Sequence, residues 1–508
     1  MSAPDVPRRL RSLSVFVLIQ LLVAAAGLVV EILAGRMLAP YVGMSLYTWT
    51  AVIAVVLAGF SAGHWVGGLA AERSTEKALS LTAICMALAA LFTAAALPIL
   101  RAAAAPVVEG SGSAGLAILS LAVIVAFLPS FFAGVPAPVL AKVAVDLKPE
   151  AAGRTLGAMF AASSVGAIAG TLAAGFVFIA WLGTSITLVL VAVIYGVLAV
   201  LLHLAAGERR SWIVSAAAGV VAAAVCVYTL TAASACTRES RYYCIRIIDF
   251  SAQAGGEAKL MVLDHLGHGI NLKAEPTRLV TPYVALMDQV LRKRLDEVPQ
   301  SSFFIGGGAY TLPRAWRARS AKSKITVAEV DPDVTRAAAR QMWADTNAFK
   351  VLHADARRML TVRNDRYQVI VGDAFTDIAV PAHLVTRDFF SLVKRRLLPG
   401  GIYAMNVVDH VGTLDALAAI YRTLGAVFES VEIFVEAGDL SAGGRTTFIL
   451  FAADGPSDIR RLADEQYEER LFVRLSPKPM EQRAKEGRAV LLTDDHAPID
   501  RLVGIGEL

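Results

Sequence analysis

The chain has 508 residues, 56% of them hydrophobic, a mean hydropathy of +0.58 and a formal charge of +5. This is too apolar for an ordinary water-soluble protein, and so small a charge, with no basic run, argues against a nucleic-acid groove. Four cysteines (Cys85, Cys226, Cys236 and Cys244) show no metal-ligand spacing, so no metal is expected.

The apolar content is uneven. Up to about Ser234 the chain is a series of long uncharged runs, and beyond it charges appear at normal globular density. Residues 1–235 therefore read as a multi-pass part whose partner is the lipid bilayer, and the remainder as a water-soluble part with its own core. Arg8, Arg9 and Arg11 precede an apolar stretch, as in a signal peptide, but no small-residue cleavage site follows, so the stretch reads as an uncleaved first span. Seven candidate spans follow in order, at 13–34, 47–70, 79–100, 115–135, 156–180, 184–206 and 211–233.

Lys and Arg collect at Arg8 to Arg11, Arg73/Lys77, Lys142/Lys148/Arg154 and Arg209/Arg210, the N-terminus and every second loop. The positive-inside rule then puts the N-terminus in the cytoplasm and, after seven spans, the soluble part outside. One miscounted segment reverses that side. Residues 115–147 are the place for it, because Pro129, Pro136 and Pro138 interrupt a run long enough for a span plus a re-entrant piece. Cys236 and Cys244 flank the junction and could pair only if it lies outside the cytoplasm. Gly59, Gly63 and Gly67 in one span, and Gly166 and Gly170 in another, have the spacing that lets helix backbones pack closely in lipid. Glu31 and His64 place ionisable groups at membrane depth.

Beyond the last span, Tyr243–Phe250 and Lys259–Asp264 alternate and are β-branched, reading as a hairpin-like pair joined through Gly255-Gly256. From residue 303 strands alternate with helices: 303–305, 325–329, 350–353, 368–372, 401–407, 430–435 and 446–452. Repeated strand–helix units imply a parallel, doubly wound, Rossmann-like α/β sheet. The expected domains are thus 1–235 (transmembrane, about seven helices), 236–300 (β-hairpin region) and 301–508 (Rossmann-like, catalytic).

Ligands of such sheets bind beyond the carboxyl ends of the strands. Phe303-Phe304-Ile305 runs into Gly306-Gly307-Gly308, a turn that lets backbone N–H groups approach a nucleotide-like ligand. Glu329 ends the next strand, where one carboxylate can accept both hydroxyls of a ribose, with Asp331 just beyond. Asp355-Ala356 follows the third strand, and its acid suits an adenine amino group. Asp373 ends the fourth, where a reacting group would lie. Capping of the following helices is the competing role for each acid.

These residues carry a resemblance. Leu263-Asp264-His265-Leu266-Gly267-His268-Gly269, Pro282-Tyr283, Gly306-Gly307-Gly308, Glu329-Val330-Asp331, Asp355-Ala356, Tyr367 through Asp373, Pro381 through Thr386 and Thr493-Asp494-Asp495 look like the spermidine synthase family of aminopropyltransferases. With Glu31, Arg36, Pro40, Tyr41, Gly43 and Trp49, the whole chain resembles bacterial inner-membrane proteins that fuse spans to such a domain. The resemblance implies a decarboxylated S-adenosylmethionine substrate, transfer of its aminopropyl group to an amine such as a polyamine, release of methylthioadenosine, and a homo-oligomer. It also implies that Asp373 deprotonates the amine, with Tyr283 and His268 facing the substrate, and that Gly306, Gly307, Gly308, Glu329, Asp331, Asp355 and Ala356 hold the adenosyl group.

Two departures qualify this. The family's glycine turn continues with an acid that contacts the aminopropyl amine; here Ala309 stands there. The second acid after the fourth strand could only be Asp377, displaced by one position. Loss of an anion beside the tail opens the alternative of intact S-adenosylmethionine, used by a lyase, cyclising enzyme or methyltransferase. A non-catalytic nucleotide sensor on a transporter-like membrane part is the third reading.

Overall fold

The computed structural model describes residues 12–206, 212–374 and 380–503; the Arg8–Arg11 and Arg209/Arg210 clusters and Asp377 lie outside the described residues. The chain divides into two compact units that part between Ala235 and Cys236.

Among the described residues the first unit contains seven helices long and apolar enough to cross a membrane: Leu13–Val42, Leu46–Ala71, Thr75–Gly110, Ala114–Leu147, Pro149–Trp181, Gly183–Ala206 and Trp212–Thr231. Serine side chains start three of them. Ser12, Ser45 and Ser113 accept hydrogen bonds from Val15, Thr48 and Leu116 N–H groups that the helix cannot satisfy itself. The proline-rich stretch that invited a miscount is one continuous helical path. A π-helical turn, Val123–Phe127, lies just upstream of Pro129, whose missing N–H interrupts the regular helical ladder.

Large apolar side chains face outward in this unit, including Trp65, Phe176 and Trp181, each at least 74% exposed. In water that surface would be costly; against lipid chains it is neutral. The glycine stripes lie at helix contacts. A Cβ on Gly63 would sit 2.1 Å from the Phe131 carbonyl oxygen, and one on Gly166 2.2 Å from that of Leu21. Between the first and fifth helices Gln20 donates to Ser163 at 2.7 Å. Glu31 is half-buried, and His64 is exposed, its ring stacked on Phe60. Cys85 is buried and Cys226 half-buried, both as free thiols.

The second unit opens with a four-stranded antiparallel sheet: β1 (Arg238–Glu239), β2 (Cys244–Asp249), β3 (Ala258–Leu263) and β4 (Leu266–Leu272). The expected pair is β2 with β3. Their connection turns at Gly255, in the left-handed region at φ 69°. A further strand, β4, runs through the Gly267-His268-Gly269 motif, and the β3–β4 register shifts at Met261/Val262.

The main sheet has nine strands in the order β12-β13-β10-β11-β9-β8-β5-β6-β7. Strands β5 (Ser301–Ile305), β6 (Lys324–Ala328), β7 (Lys350–Leu352), β8 (Tyr367–Gly372) and β9 (Leu397–His410) are parallel. The expectation of a parallel sheet fails beyond β9. Strands β10 (Ser430–Glu436), β11 (Arg445–Ala453), β12 (Arg461–Ala463) and β13 (Leu471–Arg474) are antiparallel. The link from β10 to β11 is one short helix and two glycines, too brief for a crossover, so β11 returns alongside its predecessor. Helices cover both faces of the parallel half. Order reverses between β5 and β8, and the carboxyl ends of those two strands form the mouth of the candidate site.

Candidate active site

Gly306 leaves β5 at φ +92°, and a Cβ there would lie 2.5 Å from the Asp373 carbonyl oxygen. Only glycine fits both demands. Pairing of Ile305 with Gly372 sets the two strand ends side by side, and the Asp373 N–H donates to the Ile305 carbonyl at 3.1 Å. The following N–H groups are engaged: Gly307 and Gly308 donate to Glu329 Oε2 at 2.8 and 3.3 Å, while the Asp331 N–H donates to Oε1 at 2.9 Å. Glu329 is 5% exposed. Burial raises its carboxyl pKa, and the three backbone donors oppose that rise by favouring the ionised form.

Asp373 sits just past β8. Its Oδ1 accepts from Asn406 Nδ2 at 3.0 Å and its Oδ2 from the Tyr283 hydroxyl at 3.2 Å. Burial pushes its pKa up, against the lowering effect of these two bonds. Tyr283 begins the helix Pro282–Leu295, which is anchored by the buried Asp288. That carboxylate accepts from Trp316 Nε1 at 2.8 Å and from Arg319, with Arg292 on the same group. His268 is half-buried nearby, its pKa pushed down to about 4 by desolvation and by His265. It is therefore a neutral imidazole at physiological pH.

These groups surround a cavity of about 270 Å³. Its lining includes Glu329 and Val330, Asp355, Ala356 and His383, Tyr242 and Tyr243, and Asp373 with His268. A cavity of about 30 Å³ continues beyond Gly306. Its wall includes His268, Tyr283, Gly307 and Asp373 with Met287 and Phe304, and Asp373 is the single carboxylate among the described residues lining it.

The structure brings together Gly306, Gly308, Glu329, Asp355, Ala356, Asp373 and His268 around the larger cavity, and Gly307 and Tyr283 around the smaller. Asp331, expected at the adenosyl group, is absent from both walls. It is buried beneath, where its carboxylate caps the helix Pro332–Gln341 through Asp333 N–H at 2.8 Å and accepts from Ser240. Asp355 also caps, accepting from Arg358 N–H at 2.8 Å, while its other oxygen meets His383 Nε2 at 2.8 Å. Ala309 is 1% exposed and outside both walls; a Cβ on Gly269 would lie 2.9 Å from its methyl.

Asn406, Tyr242 and Tyr243 escaped the sequence reading. Asn406 follows Met405, which pairs with Gly372, so it lies inside β9 and reaches Asp373 only through the β8–β9 register. The tyrosines lie before β2, and no local pattern marks them.

No family model matches the chain. It is similar to the probable polyamine aminopropyl transferase of Bifidobacterium longum (strain NCC 2705), 30% identical over 131 residues, 25% of this chain and 29% of that protein. It is similar to the polyamine aminopropyltransferases of Vibrio vulnificus (strain CMCP6), 27% identical over 32% of this chain and 55% of that protein, and of Sulfolobus acidocaldarius, 29% identical over 27% and 47%. The chain therefore spans about half, or less, of the length of these curated relatives. Among solved structures, the probable spermidine synthase of Corynebacterium glutamicum ATCC 13032 covers 51% of this chain and 96% of its own at 20% identity, with a TM-score of 0.43.

Proposed function

We propose that the chain is a membrane-anchored transferase of the aminopropyltransferase type, acting on an S-adenosyl sulfonium and a small amine. The observation that carries this reading is the Asp373 carboxylate, held by Tyr283 and Asn406 and lining both the smaller cavity and the cleft that also contains Glu329. The likeness to polyamine aminopropyltransferases supports it, and the outward apolar surface of the seven helices supports the membrane anchor.

A sulfonium is a good leaving group, so the protein's task is positioning and proton acceptance. The lone pair of a neutral amine nitrogen attacks the carbon bonded to sulfur. A C–N bond forms as the C–S bond breaks, and its electron pair stays on sulfur, releasing neutral methylthioadenosine. The proton shed by the new ammonium passes to Asp373. Tyr283 and Asn406 hold that carboxylate in line, and neutral His268 adds no positive charge to repel the amine. Glu329 takes the ribose hydroxyls, and the wall at Asp355 takes the base.

A specific observation favours a second reading for the tail. With Ala309 enclosed and Asp373 the single carboxylate among the described residues that line the smaller cavity, none of those residues adds a second anion to hold a cationic amine or repel a carboxylate. Intact S-adenosylmethionine then fits as well as its decarboxylated form. Purified protein incubated with each nucleotide, with and without putrescine, tests both. Methylthioadenosine formed only with amine and the decarboxylated form supports transfer. Methylthioadenosine from the intact form without amine points to a lyase, S-adenosylhomocysteine to methylation, and tight binding without turnover to a sensor.

A further inference from the structure

Two observations outside the reaction chemistry bear on where this site works. The first is covalent. Cys236 and Cys244, eight residues apart with Cα atoms 5.2 Å from each other, are joined in a disulfide five residues beyond the last helix. Thiols facing a bacterial cytoplasm are kept reduced, so a disulfide belongs to an oxidising compartment. The second is the charge pattern. With the proline-rich stretch settled as a single helix, seven candidate spans stand. The turns at 72–74 and 148, with their flanks, carry Arg73, Lys77, Lys142, Lys148 and Arg154, and the sequence between the sixth and seventh helices carries Arg209 and Arg210. The alternate turns at 43–45, 111–113 and 182 carry no Lys or Arg. Basic turns face the cytoplasm, so the segment after the seventh helix lies on the opposite side. Neither observation depends on the other.

The disulfide also touches the site. It closes residues 236–244 into a strap whose interior is tied by Ser240: its Oγ accepts from the N–H groups of Tyr242 and Tyr243 at 3.1 and 2.8 Å and donates to Asp331. Below it, the Cys244 N–H donates to Asp264 Oδ1 at 2.8 Å. Tyr242 and Tyr243 line the cavity. Asp331, which does not reach the ligand space, thus holds the strap that does.

We propose that the soluble unit faces the extracytoplasmic side and takes its substrates there, with the Cys236–Cys244 disulfide holding the Tyr242–Tyr243 strap against the cavity. An adenosyl sulfonium carries a fixed charge and does not diffuse through hydrocarbon. A carrier-mediated export of the adenosylated donor, made in the cytosol, must therefore precede this reaction. The side of the membrane stands apart from the identity of the ligand; the strap's effect on affinity rests on the adenosyl reading.

The full chain carrying Cys85→Ala and Cys226→Ala, in membranes of cells quenched with acid and alkylated with a maleimide mass tag, is expected to gain two tags only after reduction. Alkaline phosphatase joined after Leu508 of the unsubstituted chain is expected to be active. Tags gained without reductant, or a silent phosphatase whose fluorescent-protein counterpart glows, would overturn the assignment. Purified full-length protein is expected to bind S-adenosylmethionine about tenfold more weakly after reduction, the entropy of ordering the strap no longer being prepaid. Unchanged affinity would overturn the strap's role alone. Turnover of the oxidised protein, measured alongside, reports on the transferase reading separately from all three readouts.

Discussion

The two units use glycine in opposite ways. In the helical unit Gly63 and Gly166 keep ordinary helical backbone, and what matters is the missing side chain, which lets another helix's carbonyl come within 2.2 Å of where a Cβ would be. In the soluble unit Gly306 sits at φ +92° and Gly308 at +48°, and what matters is the backbone itself, which turns its N–H groups toward Glu329. The contrast fits the proposed surroundings, lipid for the first unit and water for the second. Lipid gives helices no hydrophobic reason to associate, so close packing must hold them. Water supplies that drive to the second unit, whose glycines are free to shape a binding turn. The apolar surfaces agree: all but five of the large apolar residues that are exposed among the described residues precede residue 232.

Asp373→Asn separates chemistry from both kinds of glycine most sharply. It keeps the shape and removes the base, so kcat/KM is expected to fall by about 10³-fold with the thermal unfolding of the protein unchanged. A shift in unfolding would mean that the carboxylate is structural. Next comes Gly63→Leu, which drives a side chain into the Phe131 carbonyl. A loss of about 1–3 kcal/mol in the stability of the helical unit in detergent is expected, with adenosyl binding intact; weakened binding would break the division of labour.

Gly306→Ala and Gly308→Ala sharpen the comparison inside the soluble unit. The former meets strained backbone and the Asp373 carbonyl together and is expected to cost about 1–3 kcal/mol. The latter meets strained backbone with its nearest atom at 3.5 Å, and about 1 kcal/mol is expected. Equal costs, measured by chemical denaturation, would refute the steric account. The smallest effect is on pH. Because the Asp373 pKa is raised, its base form is lost at a higher pH than for an ordinary carboxylate. The acid limb of kcat is expected to lie above the normal carboxylate range and to disappear in Asp373→Asn.

Much of this was legible in the sequence because it is local. Runs such as Phe303-Phe304-Ile305 and Val369-Ile370-Val371 can only be buried strands, and the residues just past them are placed by topology. What escaped depends on registers and directions set by tertiary structure. Asn406 reaches Asp373 through the β8–β9 pairing, and Tyr242 and Tyr243 through the disulfide-closed strap. Asp331 is two residues from Glu329 yet points beneath the sheet edge, because a capping residue must aim at its own helix. The antiparallel half of the sheet was hidden because a strand pattern does not state the direction in which the chain returns.

One detail of the glycine turn reaches beyond its shape. Nests of this kind elsewhere welcome phosphate, offering unclaimed N–H groups and a partial positive charge. Here the two donors already hold a buried carboxylate. A pyrophosphate entering the turn would meet a fixed like charge and find its anchors taken, while an uncharged ribose meets an acceptor for its hydroxyls. On the adenosyl reading, neither ATP nor NAD is therefore expected to compete with an adenosyl thioether for this cleft, which a competition binding measurement checks.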